Sequence, residues 1–246
     1  LNAPVTAFRG GRGIMPADHP LAMSSYAAWQ LWEETDCVIG IGSRMEMIYM
    51  RWSGMRSRIV EPEAPPHLIR IDIDPEEMTR LVPHVPVVAD AKEATAALLQ
   101  ALDQSGAPTS KDLGRLERAR ATAQQAIAAV QPHVTFLEHI REALPRDGIF
   151  TEELTQAGYA SFFAWDVFSP RTSITSGFQG NLGYGFMTSL GVKAGRPDVP
   201  VVSVTGDGGF LYGASELATA VKEKIPLIVL LFNNGAYGNV RRDQIT

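Results

Sequence analysis

"SVTGDGGFLYGASELATAVKEKIPLIVLLFNNGAYG", from Ser203 to Gly238, decides how the chain is read. The run leading into it, VPVVSVT (Val199 to Thr205), is a β-former segment of the kind buried on both faces of a parallel sheet. Gly206-Asp207-Gly208-Gly209 is the expected turn at its C-terminal end, and ASELATAVKEK is a helix that Pro226 ends. LIVLLF (Leu227 to Phe232) is the next strand, closed by Asn233 and Asn234. A right-handed crossover makes the two strands parallel. It brings Asp207 and Asn234 to one sheet edge although 27 positions separate them. Ligands of open α/β sheets bind at that edge.

A carboxylate, an amide oxygen and a backbone carbonyl beyond Asn234 form an oxygen donor set for a hard cation. Mg²⁺ suits it, with an octahedron completed by phosphate oxygens and water. The glycines around Asp207 let a diphosphate approach the backbone, whose N–H groups donate to its oxygens. Taken alone, Gly-Asp-Gly is equally well an ordinary tight turn and Asn-Asn a strand-end cap. The strand–turn–helix–strand context and the separation favour the metal–diphosphate reading.

The same alternation extends outward. CVIGIG (Cys37 to Gly42), HLIRIDID (His67 to Asp74) and VPVVAD (Val85 to Asp90) are strand-like runs. Between and after them lie the helical segments SYAAWQLWEET, DPEEMTRLV and AKEATAALLQALDQ. These form a first α/β domain over residues 1–106. A linker and an Ala- and Arg-rich connector helix occupy 107–131, and a second α/β domain occupies 132–246. Its elements are the helix FLEHIREALP, the strands GIFTEE and TSITS, a Gly-rich turn into YGFMTSLGVKAG, and then the opening stretch. The fold class is α/β: two open parallel-sheet domains with helices on both faces.

Bulk properties exclude several classes. The chain has 246 residues, 45% of them hydrophobic, and a net charge of -5, so it has no basic footprint for nucleic acid. No apolar run approaches the length that spans a membrane. A single cysteine, Cys37, forms no internal disulfide and fits a reducing, cytoplasmic setting. The chain begins with Leu and stops soon after NNGAYG, so further sequence is expected at both ends.

GDGGF…ELATAV…LIVLLFNNGAYG resembles the signature of thiamine diphosphate-dependent enzymes, within the acetolactate synthase, benzoylformate decarboxylase and pyruvate oxidase group. RGGRGIMPADHPL and LIRIDIDPEE are similar to that group's central domain, and GNLGYGFMTSLGVKAG to its segment before GDG. The resemblance implies that Asp207, Asn234 and the Ala236 carbonyl bind Mg²⁺. It implies that Gly206, Gly208, Gly209, Tyr237 and Gly238 line the diphosphate, with Thr155 and Gln156 of ELTQAG touching it. The Gly180 carbonyl would accept a hydrogen bond from the cofactor's 4′-amino group, and Leu182 would hold the cofactor bent.

The implied activity is decarboxylation of a 2-oxo acid with carboligation to a second carbonyl, as in acetolactate synthase. Simple 2-oxo acid decarboxylation is the alternative. A non-catalytic nucleotide-binding or regulatory module keeping the fold is the alternative of another class. The family's activating glutamate belongs to an N-terminal domain contributed by a neighbouring subunit, expected to be absent from this chain. None of Glu138, Glu142, Glu152, Glu153 or Glu216 stands in its context. A homodimer or homotetramer with active sites at subunit interfaces is implied, and the partner molecule is a small 2-oxo acid.

Gly40-x-Gly42 after a strand is half of a dinucleotide fingerprint, with Met45 in the third glycine's place. A plain strand-end turn is favoured there and FAD is not. Arg44, Arg51, Arg56 and Arg58 read as a solvated face or subunit contact rather than a phosphate site, and Met45, Met47, Met50 and Met55 as packing. His19, His67, His84, His133 and His139 have no metal-site spacing, and His19 reads as a turn residue.

Overall fold

The computed structural model describes residues 1–45, 67–106, 109, 113–177 and 179–245. The chain divides into two units. One comprises Leu1–Val5 and Ser25–Gln124, the other Thr6–Ser24 and Gln125–Thr246. A two-stranded pair, β1 (Val5–Thr6) and β2 (Ala22–Met23), precedes both main sheets.

In the first unit, α1 (Ser25–Trp29) and a 3₁₀ turn at Trp32–Glu34 lead into β3 (Cys37–Ile41). β4 (His67–Asp72) and β5 (Val85–Val88) complete a parallel sheet in the order β3-β4-β5. The three runs were expected to be buried on both faces, and only β4 is. Leu68, Arg70 and Ile71 are buried, whereas Ile39, Ile41, Val85 and Val88 on the flanking strands are exposed among the described residues. Position in the sheet, not composition, makes the difference.

α2 (Glu77–Arg80) is shorter than DPEEMTRLV promised: the chain turns extended at Leu81, and in the turn before the helix the Asp74 carboxylate accepts the Glu76 N–H at 2.9 Å. α3 (Ala91–Ser105) is capped at both ends. Asp90 accepts the N–H groups of Lys92 and Glu93 at 2.9 and 3.3 Å, and Gly106 closes the helix in the left-handed region. α4 (Gly114–Ala128) follows.

Arg70, only 1% exposed, is held by the Glu77 carboxylate at 3.0 Å and by the carbonyl of Ser43 at 3.0 Å. Arg80 and Arg44 reach the same carboxylate at 2.8 and 3.3 Å. The hydrogen bond from Arg80, with that from Arg70, holds Glu77 down to about 2 against its burial.

The second unit contains α5 (His133–Ala143), β6 (Ile149–Glu152), α6 (Gln156–Ala164), β7 (Ser173–Ile174) and α7 (Tyr184–Gly195). β8 (Val201–Gly206), α8 (Asp207–Phe210), a 3₁₀ turn, α9 (Leu217–Lys222), β9 (Ile228–Phe232) and α10 (Gly238–Ile245) follow. The sheet is parallel, in the order β7-β6-β8-β9. Its core joins Leu137, Phe150, Ala160, Trp165, Val202 and Val204. Phe150 stacks on Trp165 with ring centroids 4.1 Å apart. Each fully buried Phe or Val side chain here stabilises the unit by about 1.5–3 kcal/mol.

Two expectations need adjusting. The Gly-Asp-Gly-Gly segment is not a bare tight turn: β8 ends at Gly206 and a single helical turn begins at Asp207. β9, read as a buried strand, stands at the edge of the described sheet with Ile228 and Leu231 exposed.

Residues 6–24 pack within this second unit. Arg12 donates to the carbonyls of Ser161, at 3.1 Å, and Trp165, at the end of α6. The Ala17 N–H donates to the Val167 carbonyl at 3.0 Å, and Asp18 pairs with Arg146 at 3.0 Å. Gly13 adopts φ +89° so close to Ser169 that a Cβ would lie 2.3 Å from its carbonyl oxygen.

Candidate functional site

Three parallel strands end at one edge of the second sheet. Gly206 of β8 is in register with Phe232 of β9, so Asp207 leaves the sheet beside Asn233, one residue before Asn234. Neighbouring strands lie about 4.8 Å apart, so Asp207 and the Asn233–Asn234 loop are backbone neighbours at this edge. β6 is in register with β8 through Glu152 and Val204, and delivers Thr155 and Gln156 to the same edge.

Local contacts draw these ends together. The Thr155 hydroxyl caps α6, accepting the Gly158 N–H at 2.8 Å, and a Cβ on Gly206 would lie 3.2 Å from its methyl group. Gln156 hydrogen-bonds Asn239 beyond β9. The Tyr237 ring covers Gly208, where a Cβ would lie 2.6 Å from ring carbon Cε1. Asn233 and Asn234 fold their own loop, accepting the N–H groups of Gly235 and Ala236 at 2.9 and 3.1 Å. Asn234 also lies against Gly238, where a Cβ would be 2.8 Å from its amide nitrogen. An amide oxygen has two lone pairs, so Asn234 keeps one beyond its Ala236 bond.

The loop before α7 joins the same edge. A Cβ on Gly180 would be 3.6 Å from Leu154, and Leu182 is half-buried. Gly183 takes φ +86°, a conformation that glycine adopts without steric cost. The second unit therefore gathers every candidate residue of the four segments: Thr155 and Gln156, Gly180 and Leu182, Gly206 to Gly209, and Asn234 to Gly238. Among the described residues no cluster of three His, Cys, Asp or Glu could hold a metal, so a cation site rests on the mixed set of Asp207, Asn234 and a backbone oxygen.

The end of β6 also carries two consecutive buried carboxylates facing opposite sides of the sheet. Glu153 is 0% exposed and accepts the Gly183 N–H and the Thr205 hydroxyl. Glu152 is 1% exposed, and neither of its oxygens has a hydrogen-bond partner among the described residues. Burial pushes Glu152 up to about 7, opposed by the nearby Thr175 hydroxyl, the Arg12 charge and the Ser176 amide. Burial lowers Arg12 to about 10, with Asp166 and Glu152 opposing. Sequence reasoning found neither role. The only local signal was an acidic pair ending a run of β-formers in GIFTEEL.

Residues 156–246 match the thiamine pyrophosphate enzyme C-terminal TPP-binding domain, and residues 1–99 the thiamine pyrophosphate enzyme central domain. The chain belongs to the thiamine pyrophosphate enzymes. It is 35% identical over its whole length to a probable 2-ketoarginine decarboxylase of Pseudomonas aeruginosa, spanning 44% of that protein. It is 34% identical over 98% of its length to a probable acetolactate synthase large subunit of Methanocaldococcus jannaschii, spanning 42% of it. The figures for the acetolactate synthase large subunit of Corynebacterium glutamicum are 31%, 98% and 40%. The chain thus spans less than half the length of these relatives.

In the first unit, the Met45 sulfur occupies space that a Cβ on Gly40 would need, 2.5 Å away. Arg44 pairs with Glu77, whereas Arg51, Arg56, Arg58, Met47, Met50 and Met55 lie outside the described residues. His19 holds a turn by accepting the Leu21 N–H at 3.1 Å, and His84 accepts the Leu68 N–H at 3.0 Å. No helix among the described residues is long and apolar enough to cross a membrane.

Proposed function

We propose that this protein decarboxylates a 2-oxo acid with thiamine diphosphate and Mg²⁺, and joins the product to a second carbonyl compound. The observation that carries this reading is the parallel β8–β9 pairing, which sets Asp207 beside the Asn233–Asn234 loop. The donor set of Asp207, Asn234 and the Ala236 carbonyl suits Mg²⁺. Among the described residues, a Cβ on Gly177 or Gly235 would meet no heavy atom within 4 Å.

In this reading Asp207 and Asn234 hold Mg²⁺, and Gly206, Gly208, Gly209, Tyr237, Gly238, Thr155 and Gln156 surround the diphosphate. The Gly180 carbonyl and Leu182 orient the ring system. Thiamine diphosphate, when bound, supplies the electron sink that loss of carbon dioxide from a 2-oxo acid requires. The chain's own residues bind, orient and neutralise charge. Residues 1–106 correspond to the central domain, 107–131 to a linker and connector, and 132–246 to the diphosphate-binding domain. The proposed assembly is a cytoplasmic homodimer or homotetramer with sites shared between subunits.

A second reading, decarboxylation without carboligation, is favoured by the similarity to the probable 2-ketoarginine decarboxylase over the whole chain. Calorimetric titration of thiamine diphosphate with Mg²⁺ into the full-length protein tests the common part. Saturable binding that requires Mg²⁺ and is lost in Asp207→Ala is expected; no binding to folded protein would overturn both readings. Product analysis with pyruvate and with 2-ketoarginine then separates them: a carboligated product supports the first, and an aldehyde alone the second.

A further inference from the structure

Glu153 bridges separate segments of the candidate site. Its two oxygens serve different segments: Oε1 accepts the Gly183 N–H and Oε2 the Thr205 hydroxyl. Its side chain also packs against two glycines. A Cβ on Gly185 would lie 2.7 Å from the Glu153 Cβ, and one on Gly209 would lie 2.3 Å from Oε1. No Lys, Arg or His among the described residues forms an ion pair with it. A fully buried carboxylate satisfied by two neutral donors is costly to keep unless those bonds are made, and costly to them if it is removed.

The segments so tied are the loop carrying Gly180 and Leu182, and the strand end carrying Asp207. Glu153 itself stands two residues before Thr155. We infer that Glu153 is a positioning residue, which fixes the loop before α7 and the Gly-Asp-Gly-Gly segment in one register around the cofactor. This rests on the thiamine diphosphate reading above. Glu153 touches neither the diphosphate nor the metal in that reading. It acts through Gly183, Thr205 and Gly209.

The bonding geometry makes a distinctive demand on variants. In Glu153→Gln, the amide oxygen still accepts from Gly183, and the amide nitrogen donates to the Thr205 hydroxyl. That hydroxyl turns to donate to the Gly206 carbonyl, already 3.4 Å away. Glu153→Ala has no such solution, and Thr205→Val cuts only one of the two ties.

The test uses the full-length protein and two readouts. In hydrogen exchange without cofactor, Glu153→Ala is expected to speed exchange at least tenfold over residues 179–185 and 204–210 together, leaving α5 unchanged. Thr205→Val is expected to do so over 204–210 alone. In calorimetry with thiamine diphosphate and Mg²⁺, Glu153→Ala is expected to raise Kd at least tenfold, and Glu153→Gln to stay within about threefold of wild type. Exchange that rises uniformly, or Glu153→Gln behaving no better than Glu153→Ala, would overturn the inference. If Glu153→Ala fails to fold, Glu153→Gln and Thr205→Val decide by the same criteria. Should wild-type protein bind no thiamine diphosphate, the functional reading fails, while the exchange pattern still decides whether Glu153 ties the two segments.

Discussion

Glu152→Gln should stabilise the protein at alkaline pH and do almost nothing at pH 4.5. Glu152 is buried at the end of β6 without a hydrogen-bond partner among the described residues, and its pKa is raised from 4.5 to about 7. A carboxyl whose folded pKa is raised contributes stability that is fully present below its unfolded value. That contribution is lost as pH rises through the folded value. The window therefore runs from about pH 4.5 to about pH 7. The size of the shift corresponds to about 3 kcal/mol between its ends, at 1.36 kcal/mol per unit. Glutamine keeps the shape and cannot ionise. The attraction of Arg12 for the carboxylate already opposes the shift, so its loss is included in this figure.

The assay is thermal unfolding of wild type and Glu152→Gln in parallel from pH 4.5 to 8.5, read as a difference so that other titrating groups cancel. Near pH 8 the variant should melt about 6–12 °C higher, at about 2–4 °C per kcal/mol. Near pH 4.5 the two curves should coincide. A variant less stable than wild type at pH 8 would refute the reasoning, because it would mean that ionised Glu152 is a net favourable partner of Arg12. A difference that does not vary with pH would refute it equally.

Glu77→Gln should destabilise the first unit by about 3–5 kcal/mol in chemical unfolding, because Arg70 is left as an uncompensated buried charge. Glu77 is held near 2, so its contribution is present above about pH 4.5 and lost as pH falls through about 2. An acid limb that is unchanged in the variant would contradict this. Gly13→Ala should cost at least about 1–2 kcal/mol for the left-handed backbone alone, and more for the overlap with the Ser169 carbonyl. A melting temperature equal to wild type would show that the 6–24 segment can shift freely.

The legible parts of the sequence were those whose physics is local. α7 and α3 lie where their punctuation places them, because a glycine, a cap or a periodic apolar face acts within a turn or two. The Asp207–Asn234 edge was legible although it spans a crossover, because handedness and strand order leave one arrangement. Glu153 was not, since its partners Gly183 and Thr205 stand 30 and 52 positions away and no local pattern announces them. Burial of flanking strands failed for a related reason. Ile39 and Val85 have the composition of core residues, but exposure depends on which strands lie beside them. The tie from Arg12 to Ser161 and Trp165 crosses 149 and 153 positions and was equally silent.

The packing of residues 6–24 with residues beyond 124 has a consequence for synthesis. During translation, Arg12, Gly13 and Phe8 emerge with no surface to settle on. Their partners, such as Phe162 and Ser169, follow about 150 residues later, roughly 8–30 s at 5–20 residues per second. For that interval the segment awaits its other half, while the residues between it and position 125 are already free to fold. The second unit can close only when both stretches of chain are present.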